Sequence, residues 1–474
     1  MEKYIGNKTS ILPLIGRFVS DRVPAASSIS DLFAGTTNVS RFFRARGFDI
    51  VSGDVNRFSY VLGRAYLTHA TCPSFEGCAG TPDDTAIERI KFDFHRALRR
   101  TGDLFLAQGR VTDIWRQLRP LADALAILQK LGERNRRSGI IVDHFTIWGK
   151  KSKFRSVRGT VGQRNYFTYE NALFLDGVLR KLHEWRISGR LNADEVFLML
   201  ASVIEEVVIT ANVNGTFHDF NRDRLWPNAN QRFFLRLPLV SLSESKAEVL
   251  MGNALEAARS VTSHDVCYID PPYNFRQYSA YYHFLNFIAA FPFLSKPKDY
   301  VSRLAFVRGQ NMIDDFTSPF CFRTGFIESL RCTITNMDAQ HVVLSYYGGR
   351  NHWNHWSKVD MPTDQGLREL SALFRDKTLF DECEIVPALS IRQNYQSRVG
   401  EQKELVNEYL LFGSRNKRRR RSRKSVAPFG PNVAIGVAEH FSHTVSGGEK
   451  PVADGPYLNI RGHAVGRENK FRIG

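Results

Sequence analysis

Val266-Cys267-Tyr268-Ile269-Asp270-Pro271-Pro272-Tyr273 is an apolar run that ends in a carboxylate, two prolines and an aromatic ring. The run reads as a buried parallel strand. A polar residue at the carboxyl end of such a strand faces the ligand crevice of an α/β sheet, and here that residue is Asp270. Pro271 and Pro272 fix φ and remove two backbone donors, which leaves carbonyls free to accept. Tyr273 adds a flat apolar face. Acceptors beside a flat face suit a planar substrate with an amino group, such as a base extruded from DNA. The plainer alternative is a strand closed by a Pro-Pro turn with a packed tyrosine.

Upstream, residues 28–40 read Ser-Ile-Ser-Asp-Leu-Phe-Ala-Gly-Thr-Thr-Asn-Val-Ser. This pattern predicts a strand, a small-residue turn and a helix starting near Asn38. The Ala34-Gly35 step lets backbone approach a ligand closely. Asp49-Ile50-Val51-Ser52-Gly53-Asp54 follows as a second strand with a carboxylate at its end. An acid about 20 residues beyond a glycine turn is placed to bind ribose hydroxyls. The full G-x-G-x-x-G pattern is missing, so a nucleoside without pyrophosphate fits better than a nicotinamide cofactor. An ordinary β-α-β unit with Asp54 as a helix cap is the competing reading. Residues 3–8, Lys-Tyr-Ile-Gly-Asn-Lys, precede an apolar segment with Pro13 in the first turn of a short helix. Lys8 stands near that helix start, either as a surface charge or with its ammonium free for a ligand carboxylate.

The chain has 474 residues, 43% of them hydrophobic, and a formal net charge of +17. Its length allows two or three domains, and the charge suggests a polyanionic partner. The cysteine spacings match no zinc pattern, and no metal-ligand cluster is evident, so no metal is expected. The opening Met1-Glu2-Lys3 lacks the apolar core of a secretion signal, and no apolar run approaches spanning length. Reduced thiols, a cytoplasmic, nucleoid-associated setting and no membrane partner are the expectations.

Residues 72–244 form a long insert with helical periodicity over 87–98, 114–131, 170–187 and 193–213. Within it, Arg134, Arg136, Arg137, Lys150, Lys151, Lys153, Arg155, Arg158 and Arg164 crowd together, interleaved with Phe145, Trp148, Phe154, Tyr166, Phe167 and Tyr169. Basic groups neutralise phosphates and aromatic rings stack on bases. Asn214-Gly215-Thr216-Phe217 reads as a turn. Past the tetrapeptide, residues 274–283 are dense in aromatic and amide groups and are candidates to line a base pocket. Seven of the eight residues 417–424 are basic, and the Gly- and Pro-rich tail beyond them is expected to be disordered.

Taken in order, Lys3 to Lys8, Asp31-Leu32-Phe33-Ala34-Gly35, Asp54 and Asp270-Pro271-Pro272-Tyr273 resemble adenine-specific DNA methyltransferases of the group that includes DNA adenine methylase. The resemblance continues through His341-Val342-Val343-Leu344-Ser345-Tyr346, Arg398 and Val406-Asn407-Glu408-Tyr409-Leu410-Leu411-Phe412, and so covers about residues 3–413. It implies an α/β fold, the S-adenosylmethionine-dependent methyltransferase fold: a mixed, mostly parallel sheet flanked by helices, with a helical, basic insert. The catalytic domain would be 1–71 and 245–413, the inserted target-recognition domain 72–244, and the basic tail 414–474. Two departures stand out. Thr37 occupies the place of a second family glycine, where its Cβ narrows the cofactor turn. Asn253 stands near the place of an aspartate that touches the cofactor adenine, and its side-chain carbonyl can still accept.

The resemblance implies methyl transfer from S-adenosylmethionine to N6 of adenine in double-stranded DNA. Asp270 and the Pro271 carbonyl would accept from the two amine hydrogens, and Tyr273 would stack on the flipped base. Tyr4 and Lys8 would hold the methionine end of the cofactor, Asp54 its ribose, and the Phe33–Gly35 turn, with Asp31 and Asn253 nearby, would complete the cofactor site. Lys150, Lys151, Lys153, Arg155 and Arg158 would contact DNA. Tyr282 resembles the tyrosine of a Tyr-His pair in related enzymes and would join them. A restriction endonuclease encoded elsewhere is a further implied partner. The alternatives are transfer to N4 of cytosine and a DNA-binding protein that keeps the fold without catalysis. Methylation of a protein glutamine amide fits less well, because that group resembles Asn-Pro-Pro-Tyr.

Overall fold

A computed structural model describes residues 4–107, 109–155, 161–222, 224–302, 317–349, 351–353, 364–394 and 402–415. Lys3, Arg158, Arg398 and the basic run 417–424 lie outside the described residues. The chain opens with α1 (Leu12–Arg22), β1 (Ser28–Asp31), α2 (Asn38–Arg44), β2 (Asp49–Asp54) and α3 (Arg57–Leu67). Next come α4 (Asp84–Phe105), α5 (Val111–Arg134), α6 (Ile140–Phe145), the strands β3 (Lys153–Arg155) and β4 (Val161–Gln163), α7 (Tyr169–Ile187) and α8 (Ala193–Thr210). The sheet resumes with β5 (Ala247–Met251), α9 (Ala254–Ser260), β6 (His264–Ile269), α10 (Tyr278–Tyr281), α11 (His283–Ala290) and α12 (Pro297–Ser302). It closes with α13 (Phe326–Asn336), β7 (Ala339–Tyr347), α14 (Gln365–Arg375), β8 (Glu382–Asn394) and β9 (Gln402–Ser414).

The strands order as β5-β2-β1-β6-β7-β9-β8. The first five are parallel, and the last hairpin reverses, β9 running antiparallel to both β7 and β8. The expected mixed, mostly parallel sheet is therefore present. Side chains alternate across it, as a pleat requires. Val266 and Tyr268 of β6, Val343 of β7 and Leu410 and Phe412 of β9 enter one core. Cys267 and Ile269, Val342 and Leu344, and Leu411 enter the other, beneath α9, α13 and α14.

The helices between residues 84 and 210 pack on the first face and share its core with α1, α3 and α11. Their starts are set locally: Thr168 caps α7, and Asn192 with Glu195 forms a full capping box on α8. α5 runs to Arg134, three residues beyond the 114–131 span read from periodicity. Tyr60 of α3 meets Phe197 of α8 edge-on at 5.8 Å, and Arg64 pairs with Asp194 at 2.6 Å. Among the described residues no helix is long and apolar enough to cross a membrane. All six cysteines are free thiols.

Glu206 of α8 is 2% exposed and ion-paired with Arg236, which also reaches Asp93 at 3.7 Å. Burial pushes the Glu206 carboxyl up to about 7, against the pull of Arg236. Arg236→Met should therefore lower the unfolding free energy by about 3–5 kcal/mol at pH 8, where the orphaned charge stays buried. A folded-state value above the unfolded one means that stability is lost as pH rises through it. The deficit should shrink at pH 5, where Glu206 takes up a proton, and urea denaturation at the two pH values measures both effects.

Candidate active site

The sheet reverses its building direction between β1 and β6, which are hydrogen-bonded neighbours. That is a topological switch point, where open α/β sheets bind ligands beyond the carboxyl ends of the strands. Asp31 ends β1, Asp54 ends β2, and Asp270 directly follows β6. Three carboxylates thus stand along one edge.

The β1–α2 turn is closed by backbone and by acid together. Ala34 N–H donates to the Gly53 carbonyl at 3.0 Å, and Gly35 N–H donates to Asp54 Oδ2 at 2.8 Å. Asp54 Oδ1 accepts from the backbone and side-chain amides of Asn56 at 2.8 and 2.9 Å. Burial raises the Asp54 carboxyl, and these N–H groups oppose the rise. Asp54 is therefore first a clamp on the turn, and any ribose hydroxyl would share its oxygens with those donors. Gly35 has φ +50°, and a Cβ on it would lie 2.9 Å from the Tyr4 ring. Thr37 also sits in the left-handed region, at φ 61° and ψ 14°, fully buried. This gives the glycine of the family pattern a conformational reason, since a β-branched residue is strained there.

The residues fit a nucleoside cofactor at this edge. Asp31 is 2% exposed; Oδ2 accepts from the Ser40 hydroxyl at 3.0 Å, while Oδ1 is buried without a hydrogen-bond partner. Burial pushes this carboxyl up to about 7, Ser40 opposing and the Asp270 charge assisting. The Tyr4 ring packs against the bare face of Gly35, and a Cβ added at Gly252 would meet nothing within 4 Å. Phe33 packs edge-on against Phe320 at 5.0 Å. The Asn253 side-chain carbonyl accepts from Leu255 N–H at 3.1 Å and caps α9, which leaves one lone pair of that oxygen for a ligand.

At the tetrapeptide, Asp270 Oδ1 lies 3.2 Å from Lys8 Nζ, and the same ammonium reaches Glu408 Oε2 at 3.5 Å. Lys8 is 7% exposed. Burial works against its charge, but the two carboxylates outweigh that and hold it protonated. The surface-charge reading is thus corrected, and the first partner of this ammonium in the structure is Asp270. Burial pushes the Asp270 carboxyl up to about 6, with Lys8 opposing and Glu408 adding to the rise. Among the described residues, nothing donates to Asp270 Oδ2. The Tyr273 ring is 6% exposed, edge-on to Tyr346 at 5.2 Å and tilted on Phe326 at 5.6 Å, and its hydroxyl donates to the Ser345 carbonyl.

Of the residues assigned to DNA, Lys150, Lys151, Lys153 and Arg155 are exposed and, among the described residues, make no ion pair. Their aromatic companions divide. Trp148 is 53% exposed, whereas Phe145, Phe154, Tyr166 and Phe167 are core. In β3, Lys153 and Arg155 point out and Phe154 in, the alternation of a strand. Arg164 is fully buried, donating to the Ser152 carbonyl at 3.0 Å, so it pins a loop and has no face for a phosphate. Tyr282 is also a correction. It is 1% exposed, stacks on Tyr4 at 4.6 Å, and its hydroxyl accepts from Ile5 N–H at 2.9 Å. It holds the N-terminal segment in place and has no surface for DNA.

Residues with no distinctive sequence signal complete the site. Asn286 of α11 donates to Asn56 Oδ1 at 3.1 Å and accepts from Phe58 N–H at 3.3 Å, linking the Asp54 clamp to the helices. Asn38 Nδ2 donates to Asn7 and Thr9 at 3.0 and 2.8 Å. Phe217 N–H donates to the Tyr281 carbonyl at 2.7 Å, and the His218 ring lies 4.2 Å from that of Tyr281. There a cleft of about 220 Å³ opens, lined by Asn214, Thr216, His218, Asp219, Phe220 and Asn221.

A mixed, mostly parallel sheet between two layers of helices, with acids at its switch point, has the form of the S-adenosylmethionine-dependent methyltransferase fold. The chain belongs to the D12 class N6 adenine-specific DNA methyltransferases, which it matches over residues 4–157 and 160–293. It is similar to the type II methyltransferase M.NlaIII of Neisseria lactamica, at 26% identity over 355 residues, covering 72% of this chain and 82% of that protein. The modification methylase LlaI of Lactococcus lactis subsp. lactis is 26% identical over 61% of this chain and 38% of its own length. The type II methyltransferase M.FokI of Planomicrobium okeanokoites is 24% identical over 73% of this chain and 44% of its own. The chain thus spans less than half the length of the latter two. No solved structure matches it.

The strain at Thr37 has a measurable size. Thr37→Gly should raise the unfolding free energy by about 1 kcal/mol, because a β-branched residue is relieved of the left-handed conformation. A higher urea midpoint with an unchanged slope is the expected reading.

Proposed function

We propose that this chain transfers the methyl group of S-adenosylmethionine to the exocyclic N6 of adenine within a specific sequence of double-stranded DNA. The observation that carries the reading is Asp270 at the switch point, with Oδ1 held by Lys8 and, among the described residues, no donor on Oδ2. S-adenosylmethionine supplies an electrophilic methyl on a positively charged sulfur. The chain must do the rest, and its task is the amine, whose lone pair is delocalised into the ring. Asp270 Oδ2 and the Pro271 carbonyl accept from the two N–H groups and favour a nitrogen whose lone pair is localised. Positive charge developing on that nitrogen is stabilised by the Asp270 carboxylate. Tyr273, with its tilt already fixed by Ser345, Tyr346 and Phe326, offers a base the remaining part of its face without first losing side-chain freedom.

For the cofactor, Asp31 Oδ1 is the unsatisfied buried acceptor, Asp54 a further acceptor, and Tyr4 with the Phe33–Gly35 turn the wall. The exposed Lys150, Lys151, Lys153 and Arg155 are suited to phosphates. Residues 72–244 act as the target-recognition part and 414–474 as a basic tail. A companion restriction endonuclease and a cytoplasmic setting complete the proposal, in keeping with the modification methylases it resembles.

Expression in a host free of DNA methylation, followed by sequencing that reads modified bases, tests the reading directly. N6-methyladenine at one recurring sequence is the expected result. N4-methylcytosine would move the target, and unmodified DNA that the protein still binds would favour the inactive alternative. Asp270→Ala should abolish transfer while cofactor binding persists in calorimetry. Because ionised Asp270 is the stronger acceptor and protonation removes the charge that stabilises the developing cation, single-turnover rates of the native protein should fall as pH drops below about 6. Replacing Lys150, Lys151 and Lys153 together by glutamine should weaken DNA binding on every sequence and reduce its salt slope by about 3. Equal affinity at low salt would leave that face without a DNA role.

A further inference from the structure

Glu408 is not required by the transfer chemistry, which needs two acceptors for two hydrogens. Yet it lies in β9 opposite Tyr347, is 7% exposed, and contacts the same ammonium as the catalytic carboxylate. A second buried acid beside Asp270 is electrostatically costly, and Glu408 adds to the upward push on Asp270. The arrangement is geometrically specific: Lys8 Nζ lies 3.2 Å from Asp270 Oδ1 and 3.5 Å from Glu408 Oε2.

We propose that Glu408 is a positioning residue for the methyl transfer: by sharing the Lys8 ammonium it fixes that cation on Oδ1 of Asp270, leaves Oδ2 to the target amine, and prevents a one-to-one pair that would weaken Asp270 as an acceptor. A carboxylate paired alone with a buried lysine is a poorer hydrogen-bond acceptor, because its charge is already compensated. A lysine without Glu408 would also be free to swing towards Oδ2. Glu408 therefore anchors the cation from its other side. The other groups that act on Asp270 come from several elements: Asp31 on β1, Tyr268 on β6, Tyr273, Tyr278 on α10 and Tyr4. Burial raises all four tyrosines well above their ordinary value, so they stay neutral and leave Lys8 and Glu408 as the nearest ionic influences.

The inference rests on Asp270 accepting the target amine, and the test separates the two. Single-turnover methylation of genomic DNA from a methylation-free host is followed from pH 5 to 9 with radiolabelled S-adenosylmethionine. Glu408→Gln keeps the shape and removes the charge. Its acid limb should move down by about one pH unit, since Asp270 loses a repelling neighbour and gains the whole ammonium. Its plateau rate should fall about 10-fold, with cofactor affinity and melting temperature unchanged. Lys8→Met probes the set from the other side and should move the acid limb up. An unmoved acid limb in Glu408→Gln overturns the proposal, as does a rate loss at every pH accompanied by lower melting temperature and cofactor affinity. If Glu408→Gln does not fold, an unmoved limb in Lys8→Met overturns it instead. Loss of the underlying reading looks different: Asp270→Ala would then methylate as well as the native protein.

Discussion

Four carboxylates, those of Asp31, Asp54, Asp270 and Glu408, crowd the carboxyl edge of the sheet, and Lys8 is the ammonium that Asp270 and Glu408 share. Burial, with the neighbouring carboxylates adding to it, raises Asp31 and Asp270 towards neutrality. The N-terminal segment has to cross this edge because it carries the compensating cation. It is fastened there by its Ile5 amide on Tyr282, by Asn7 on Asn38 and by Tyr4 against the bare Gly35.

Sequence was most informative where the signal is local. A strand that ends in an acid announces itself through an apolar run and its last residue, so Asp54 and Asp270 were readable as strand-end acids, whereas Asp31, after a strand with one apolar residue, came only with the family resemblance. Four of the helices of residues 84–210 were equally readable from periodicity, while the short α6 was not. What escaped depends on contacts between distant parts of the chain. Ile5 and Tyr282 are 277 positions apart, and Lys8 and Glu408 are 400 apart. Nothing around a lysine near a helix start distinguishes a cation aimed at a cofactor from one aimed at a strand near the far end of the chain.

The basic, aromatic segment shows a different limit. Composition grouped its charges and rings as one surface, but a short strand sends neighbours to opposite faces, so Lys153 and Arg155 are outside and Phe154 inside. Arg164 shows that even a cation can be an interior fastener when backbone carbonyls are arranged to receive it. Thr37 carries the opposite lesson: a departure that looked like a matter of room in the turn is one of backbone angle.

The core shared by α3, α8 and α11 bears on how such a protein can change its target. Where a recognition segment is a separate lobe on a linker, it can be exchanged whole between relatives. Here the side chains that support the cofactor strands and those that build the helical segment interlock, as Tyr60 with Phe197 and Arg64 with Asp194 illustrate. A transplanted segment would arrive with the wrong knobs for these holes. On the proposed assignment of residues 72–244 to target recognition, new specificity would be more accessible by altering the exposed rim around β3 and β4 than by trading the segment as a cassette.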